Sequence, residues 1–138
     1  MLLQLQNITK GYGEPDSHNY RQVLSELNFE AKKGEKVAIV GPSGSGKTTL
    51  LNLIGALDTP EKGNVIFEGK DITGYSKTEL ANFRNKHLGF IFQMHHLLPQ
   101  LSLLENVLLP FLPNGKSILA EQKEWAEYNI QKVGIWEQ

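Results

Sequence analysis

Val37-Ala38-Ile39-Val40 runs without a break into Gly41-Pro42-Ser43-Gly44-Ser45-Gly46-Lys47-Thr48-Thr49, and from there into Leu50-Leu51-Asn52-Leu53-Ile54. The first four residues are apolar and mostly β-branched, the composition of a short strand buried on both faces. Leu50, Leu51, Leu53, Ile54 and Leu57 then fall on the apolar side of a helix that Pro60 stops. Between strand and helix, the spacing Gly41-x4-Gly46-Lys47-Thr48 is that of a phosphate-binding loop. The chemistry asks for these residue types. Glycines let successive backbone N–H groups turn inward as an anion nest with no Cβ in the way. The helix that follows adds its N-terminal donors and the positive end of its dipole. Lys47 brings a compact cation to the β- and γ-phosphates, Thr48 a hydroxyl that ligates Mg²⁺, and Thr49 a second hydroxyl near the α-phosphate. Strand, loop and helix in this order predict an α/β fold built around a nucleotide site.

Working outward, Leu3 and Leu5 alternate with Gln4 and Gln6, and Leu27, Phe29 and Ala31 alternate with Asn28 and Glu30. Both patterns predict half-buried strands, joined by a polar loop over residues 13–19 and forming an antiparallel β element ahead of the phosphate loop. Val65-Ile66-Phe67 predicts a third strand, and Glu68-Gly69-Lys70-Asp71 a turn after it. Ser76 and Glu79 have the capping-box spacing that starts a short helix through Lys86. Leu88-Gly89-Phe90-Ile91-Phe92 predicts a second fully buried strand, ending at Gln93. In the last third, Ile118, Leu119, Trp125, Ala126, Ile130 and Val133 follow helical spacing, with Gly134 as the C-cap.

The 138 residues suffice for one domain, and 40% hydrophobic with 21% charged residues is an ordinary globular composition. Fourteen basic residues face fifteen acidic ones, a formal net charge of −1, and Arg21 and Arg84 are the only arginines. That balance argues against a nucleic-acid partner. The absence of cysteine excludes disulfides and Cys-ligated metals. His95 and His96 are adjacent and so point to different faces, which disfavours a metal site and predicts a solvent-facing place. Trp125 and Trp136 read as packing residues of the last helical segment. Met1 to Asn7 lacks the basic start and apolar run of a signal peptide. The apolar stretch Leu97–Pro113 is interrupted by Gln100, Glu105, Asn106 and Pro110, short of the roughly 20 residues that cross a bilayer. A soluble, intracellular protein docking on a membrane partner is the expectation.

The run Gly41 to Asn52 resembles the Walker A segment of ABC transporter ATP-binding subunits. Gly89-Phe90-Ile91-Phe92-Gln93, followed by Leu97-Leu98-Pro99 and Glu105-Asn106-Val107, is similar to that family's Q-loop region. Ile8-Thr9-Lys10-Gly11-Tyr12-Gly13 resembles its A-loop, and the wording is especially similar to the branch exporting lipoproteins, macrolides and antimicrobial peptides. The motifs stand in the family's order over nearly the whole chain. The resemblance implies an incomplete P-loop NTPase core with a helical C-terminal part. It also implies ATP and Mg²⁺ as ligands, with Tyr12 stacking on adenine. By the same resemblance, Gln93 joins Lys47 in the catalytic machinery and Thr48 at the metal, and moves with the transmembrane partner. The partners it implies are a transmembrane subunit and a second ATP-binding subunit, at the cytoplasmic face of the cell membrane. The apolar, proline-broken stretch Met94–Val107 suits a groove for a short helix of that membrane subunit.

The family's signature loop, Walker B strand and switch histidine do not occur in the sequence. Asp16, Asp58 and Asp71 are the only aspartates, and none follows four apolar residues and precedes a glutamate. Residues 1–138 therefore look like the N-terminal portion of an ABC ATP-binding domain, expected to bind nucleotide without efficient hydrolysis. A truncated, non-catalytic subunit that regulates an intact ATPase is the alternative. A small P-loop kinase fits less well, because such kinases clamp phosphates with several arginines.

Overall fold

Leucines alternating with glutamines put one face of the first strand in the core, and its neighbours follow from that. A computed structural model describes residues 1–14, 17–94, 96–112 and 117–135, in two units, Met1–Leu88 and Gly89–Gln138. In the first unit, β1 (Leu3–Tyr12) lies between β2 (Arg21–Ala31) and β3 (Lys62–Phe67), and β4 (Lys70–Asp71) extends the sheet beyond β3. All pairings are antiparallel, in the order β2-β1-β3-β4. Leu3, Leu5 and Ile8 of β1 are buried. The period of two breaks at Asn7, whose φ of +52° makes a bulge against β2. Asn tolerates that left-handed backbone, and the Asn28 side chain satisfies it by accepting from the Asn7 amide at 2.9 Å.

Two helices cover this sheet. Helix α1 (Lys47–Ile54) buries Thr49, Leu50 and Leu53, and α2 (Lys77–His87) buries Leu80 and Phe83. Leu50, Leu53, Leu80 and Phe83 make one core with Leu24, Val65 and Ile72, in which each fully buried aliphatic contributes about 1.5–3 kcal/mol. Phe83 meets Phe67 edge-on at 5.0 Å. Ser76 and Glu79 do form the capping box: Ser76 Oγ accepts from the Glu79 amide at 3.3 Å and Glu79 Oε2 from the Ser76 amide at 2.8 Å.

Helix α1 is shorter than Pro60 suggested. It closes at Gly55, after which Ala56 turns to φ +51° and the Leu57 and Asp58 amides both donate to the Asn52 carbonyl. Leu57 is thereby off the helix and exposed; Leu51, within the helix, is exposed as well. A larger correction concerns the two segments read as strands buried on both faces. Val37–Val40 and Leu88–Phe92 are irregular, with Val40 87% and Ile91 103% exposed. A strand of that kind needs neighbours on both edges. Among the described residues, neither segment pairs with any strand of the four-stranded sheet.

The second unit holds α3 (Leu103–Leu108), a 3₁₀ turn over Leu109–Phe111, and α4 (Ala120–Lys132). Among its described residues, Leu108, Ala126 and Ile130 are buried, in keeping with the helical spacing of the last two. Helix α3 was hidden in the interrupted apolar stretch, although Ser102 and Glu105 form a second capping box. Asn106 is no mere interruption: its side chain donates to the Leu98 and Leu101 carbonyls and accepts from the Leu98 amide. Trp125 packs edge-on to Phe111 at 5.5 Å with half its surface exposed, and the Gly134 amide closes α4 on the Gln131 carbonyl. Trp136 lies outside the described residues. Among the described residues, no helix is long and apolar enough to cross a membrane.

Candidate functional site

The phosphate loop is shaped by its glycines, and Gly46 shows why. It precedes α1 with φ +90°, and a Cβ there would meet Val23 Cγ1 at 3.0 Å and Leu24 Cδ2 at 3.1 Å. Only a residue without a side chain lets the helix start press this closely on β2. The first-turn amides of α1, which have no partner within the helix, open toward the loop. Lys47 folds across it: its ammonium donates to the Gly41 carbonyl at 2.9 Å and the Pro42 carbonyl at 2.7 Å, tying the loop's start to its end.

Tyr12 ends β1 beside this loop. Its hydroxyl donates to Asp58 Oδ2 at 3.2 Å and lies 3.4 Å from Thr49 Oγ1. Tyr12, Arg21, Ser43, Gly44 and the residues from Gly46 to Thr49 line one open cleft of about 350 Å³. Its walls carry two cations, Arg21 and Lys47, two threonine hydroxyls and one aromatic ring, and, among the described residues, no carboxylate. That donor set fits a polyphosphate joined to a planar group. A concavity of about 420 Å³ beside Phe67, Tyr75, Phe83 and His87 is larger. It mixes Lys70 and Lys86 with Glu68 and Glu79 and lacks a phosphate loop, so the smaller cleft is the better anion site.

The sequence-read residues thus divide. Tyr12, Ser43, Gly44, Gly46, Lys47, Thr48 and Thr49 line the cleft, while Gly41, Pro42 and Ser45 shape the loop behind it; the Ser45 amide donates to the Pro42 carbonyl at 3.3 Å. Gln93 belongs to the second unit, exposed and in irregular chain. His96 is exposed against Phe92 at a ring distance of 4.9 Å, and His95 lies outside the described residues. Among the described residues, no three His, Asp or Glu side chains gather as a metal site.

Sequence reading missed Arg21, Lys10 and Asp58. Arg21 pairs with Tyr12 across β1 and β2, a position that strand register reveals and composition does not. Lys10 forms an ion pair with Asp58 at 2.7 Å. Partial burial pushes the Asp58 carboxyl upward. Hydrogen bonds from Lys10 and the Thr59 amide, with the charge of Lys10, outweigh that and hold it below the usual carboxylate range.

Comparison with known proteins agrees with this geometry. The family model ABC_tran, described as ABC transporter, matches residues 24–138. The lipoprotein-releasing system ATP-binding protein LolD of Shewanella sp. (strain MR-7) is 44% identical over 135 residues, covering 98% of this chain and 57% of the relative. LolD 1 of Rhodopirellula baltica is 47% identical over 137 residues, covering 97% and 57%. A dimeric ATP-binding cassette in a post-hydrolysis state, bound to ADP and Pi, superimposes with a TM-score of 0.82 at 37% identity, over 94% of this chain and 56% of that one. A nucleotide-free cassette from an ABC transporter gives 0.71 at 29% identity, over 99% and 55%. The chain spans a little over half the length of the curated relatives it matches. On the family match, with a phosphate-loop cleft where the motif predicts one, the chain belongs to the ABC transporter family as a LolD-like part of its ATP-binding cassette.

Proposed function

We propose that residues 1–138 form the nucleotide-holding portion of an ABC transporter ATP-binding domain and bind ATP with Mg²⁺ in the cleft between Tyr12 and the phosphate loop. The observation that carries this reading is the lining of that cleft: a glycine-shaped loop, two cations, two threonines and one tyrosine, with no opposing carboxylate among the described residues. In the proposal the loop amides and Lys47 hold the β- and γ-phosphates, Thr48 completes the Mg²⁺ shell, and Tyr12 stacks on adenine. Mg²⁺, when bound, neutralises phosphate charge.

Hydrolysis is assigned to the complete subunit, where Gln93 acts in catalysis and at the metal. Of the described aspartates, Asp58 is committed to Lys10, and Asp71 accepts from Asn64 and the Thr73 amide. The LolD-like relatives and the dimeric cassettes support a second ATP-binding subunit and a transmembrane subunit as partners, at the cytoplasmic face of the membrane. Met94, Leu97 and Leu98 are exposed, as a docking surface for that subunit requires. Crosslinks from a cysteine at Leu97 to a membrane subunit test the docking; their absence with an assembled transporter would reject it.

Calorimetric titration tests the central reading. Lys47→Ala is expected to remove most binding of Mg-ATP, because the loop would face the phosphates without its cation. Tyr12→Ala is expected to weaken ATP by about 1–3 kcal/mol while barely changing inorganic triphosphate. Unchanged affinity in Lys47→Ala would overturn the assignment.

A further inference from the structure

Tyr12 does not stand free at the cleft's edge; two residues outside the phosphate loop hold it. Lys10, two positions earlier on β1, is almost fully covered, with a side chain 12% exposed. Its ammonium donates to Asp58 Oδ1 at 2.7 Å and to the Thr59 carbonyl at 2.9 Å, and sits 5.3 Å from the centre of the Tyr12 ring. Asp58 Oδ1 also accepts from the Thr59 amide at 2.7 Å, which leaves Oδ2 for the Tyr12 hydroxyl. Asp58 itself is set by the turn after α1, where its amide donates to the Asn52 carbonyl and where Arg84 of α2 donates to the Ala56 carbonyl at 2.6 Å.

The arrangement restrains the ring at three points: its strand, its hydroxyl and the cation near its face. A tyrosine that must be immobilised on binding loses rotamer freedom at that moment, whereas one already held does not. We infer that Lys10 and Asp58 are positioning residues for Tyr12, presenting its ring in the orientation that a nucleobase stacks on, and so set the affinity for the base without touching the nucleotide. The inference rests on the proposed stacking role of Tyr12.

A double-mutant cycle on the 138-residue chain, held below the concentration at which it self-associates, separates the two ideas. Asp58→Ala and Lys10→Met are each expected to weaken ATP by about 3–10-fold, with inorganic triphosphate unchanged. In a Tyr12→Ala background, Asp58→Ala is expected to cost nothing further for ATP. Tyr12→Phe keeps the ring and removes only the hydroxyl, so it should reproduce the Asp58 loss rather than the larger Tyr12→Ala loss, with no threat to folding. If Tyr12→Ala spares ATP, stacking is wrong and the positioning role falls with it. If Tyr12→Ala weakens ATP while Asp58→Ala and Tyr12→Phe do not, stacking stands and positioning is refuted. Equal losses for ATP and triphosphate in Asp58→Ala would show general damage to the loop and also refute it.

Discussion

Single residues in the phosphate loop carry folding duties that their motif does not announce. Gly44 and Gly46 both adopt left-handed backbone, but a Cβ on Gly44 meets open space while one on Gly46 meets Val23 and Leu24. Gly44→Ala should therefore cost only the conformational strain, about 1–2 kcal/mol. Gly46→Ala should cost more, because β2 must also give way. Proteolysis rates in dilute solution without nucleotide would rank the two; equal susceptibility would show that the contact with β2 is immaterial. The loop was legible in the sequence because its chemistry is local: nine consecutive residues contain the nest, the cation and the hydroxyls. The support of Tyr12 was not. Lys10 and Asp58 are 48 positions apart, and neither periodicity nor motif links a lysine on one strand to an aspartate in a distant turn.

Elements were readable wherever a local hydrogen-bond pattern fixes an end. Ser76 and Glu79 are an example, and the same box at Ser102 and Glu105 begins α3, where the apolar run had drawn attention to its interruptions instead. Both glutamates are held below the usual carboxylate range, Glu79 chiefly by the Ser76 hydroxyl and Glu105 chiefly by the Ser102 amide. A depressed carboxyl favours the folded state above its unfolded pKa and loses that contribution as pH falls through the folded one. Hydrogen exchange should therefore show α2's first turn better protected in the native chain than in a Ser76→Ala/Glu79→Ala variant at neutral pH. The difference should shrink below about pH 4. A difference that persists in acid would mean the box does not act through the ionised carboxylate. Strands were less legible than helix starts. Leu3, Leu5 and Val65 revealed a buried face, but Val37–Val40 has equally strand-like composition and pairs with no strand among the described residues.

For the whole molecule, the apolar side chains that found no sheet decide its behaviour. Val37, Val40, Phe90, Ile91 and Phe92 are all exposed. Each forgoes about 1.5–3 kcal/mol of burial, against a typical reserve of about 5–15 kcal/mol for a domain. The isolated 138 residues should therefore self-associate, and sedimentation across a concentration series should show mass rising with concentration. A monodisperse monomer with strong amide protection through 37–40 and 88–92 would contradict this. Nucleotide should help only modestly, by mass action on the competent fraction. The sheet order has a consequence in time as well. β1 is one of the sheet's two inner strands, and one of its edges is completed by β3, with Leu3 opposite Phe67. At about 5–20 residues per second of synthesis, roughly 3–13 s separate the first of these residues from the second. During that interval the nascent chain carries β1 with β2 alone, a lone hairpin, which is marginal by itself in water. The strand that ends in Tyr12 is thus made well before its second neighbour, and a chaperone binding the growing chain would find it open.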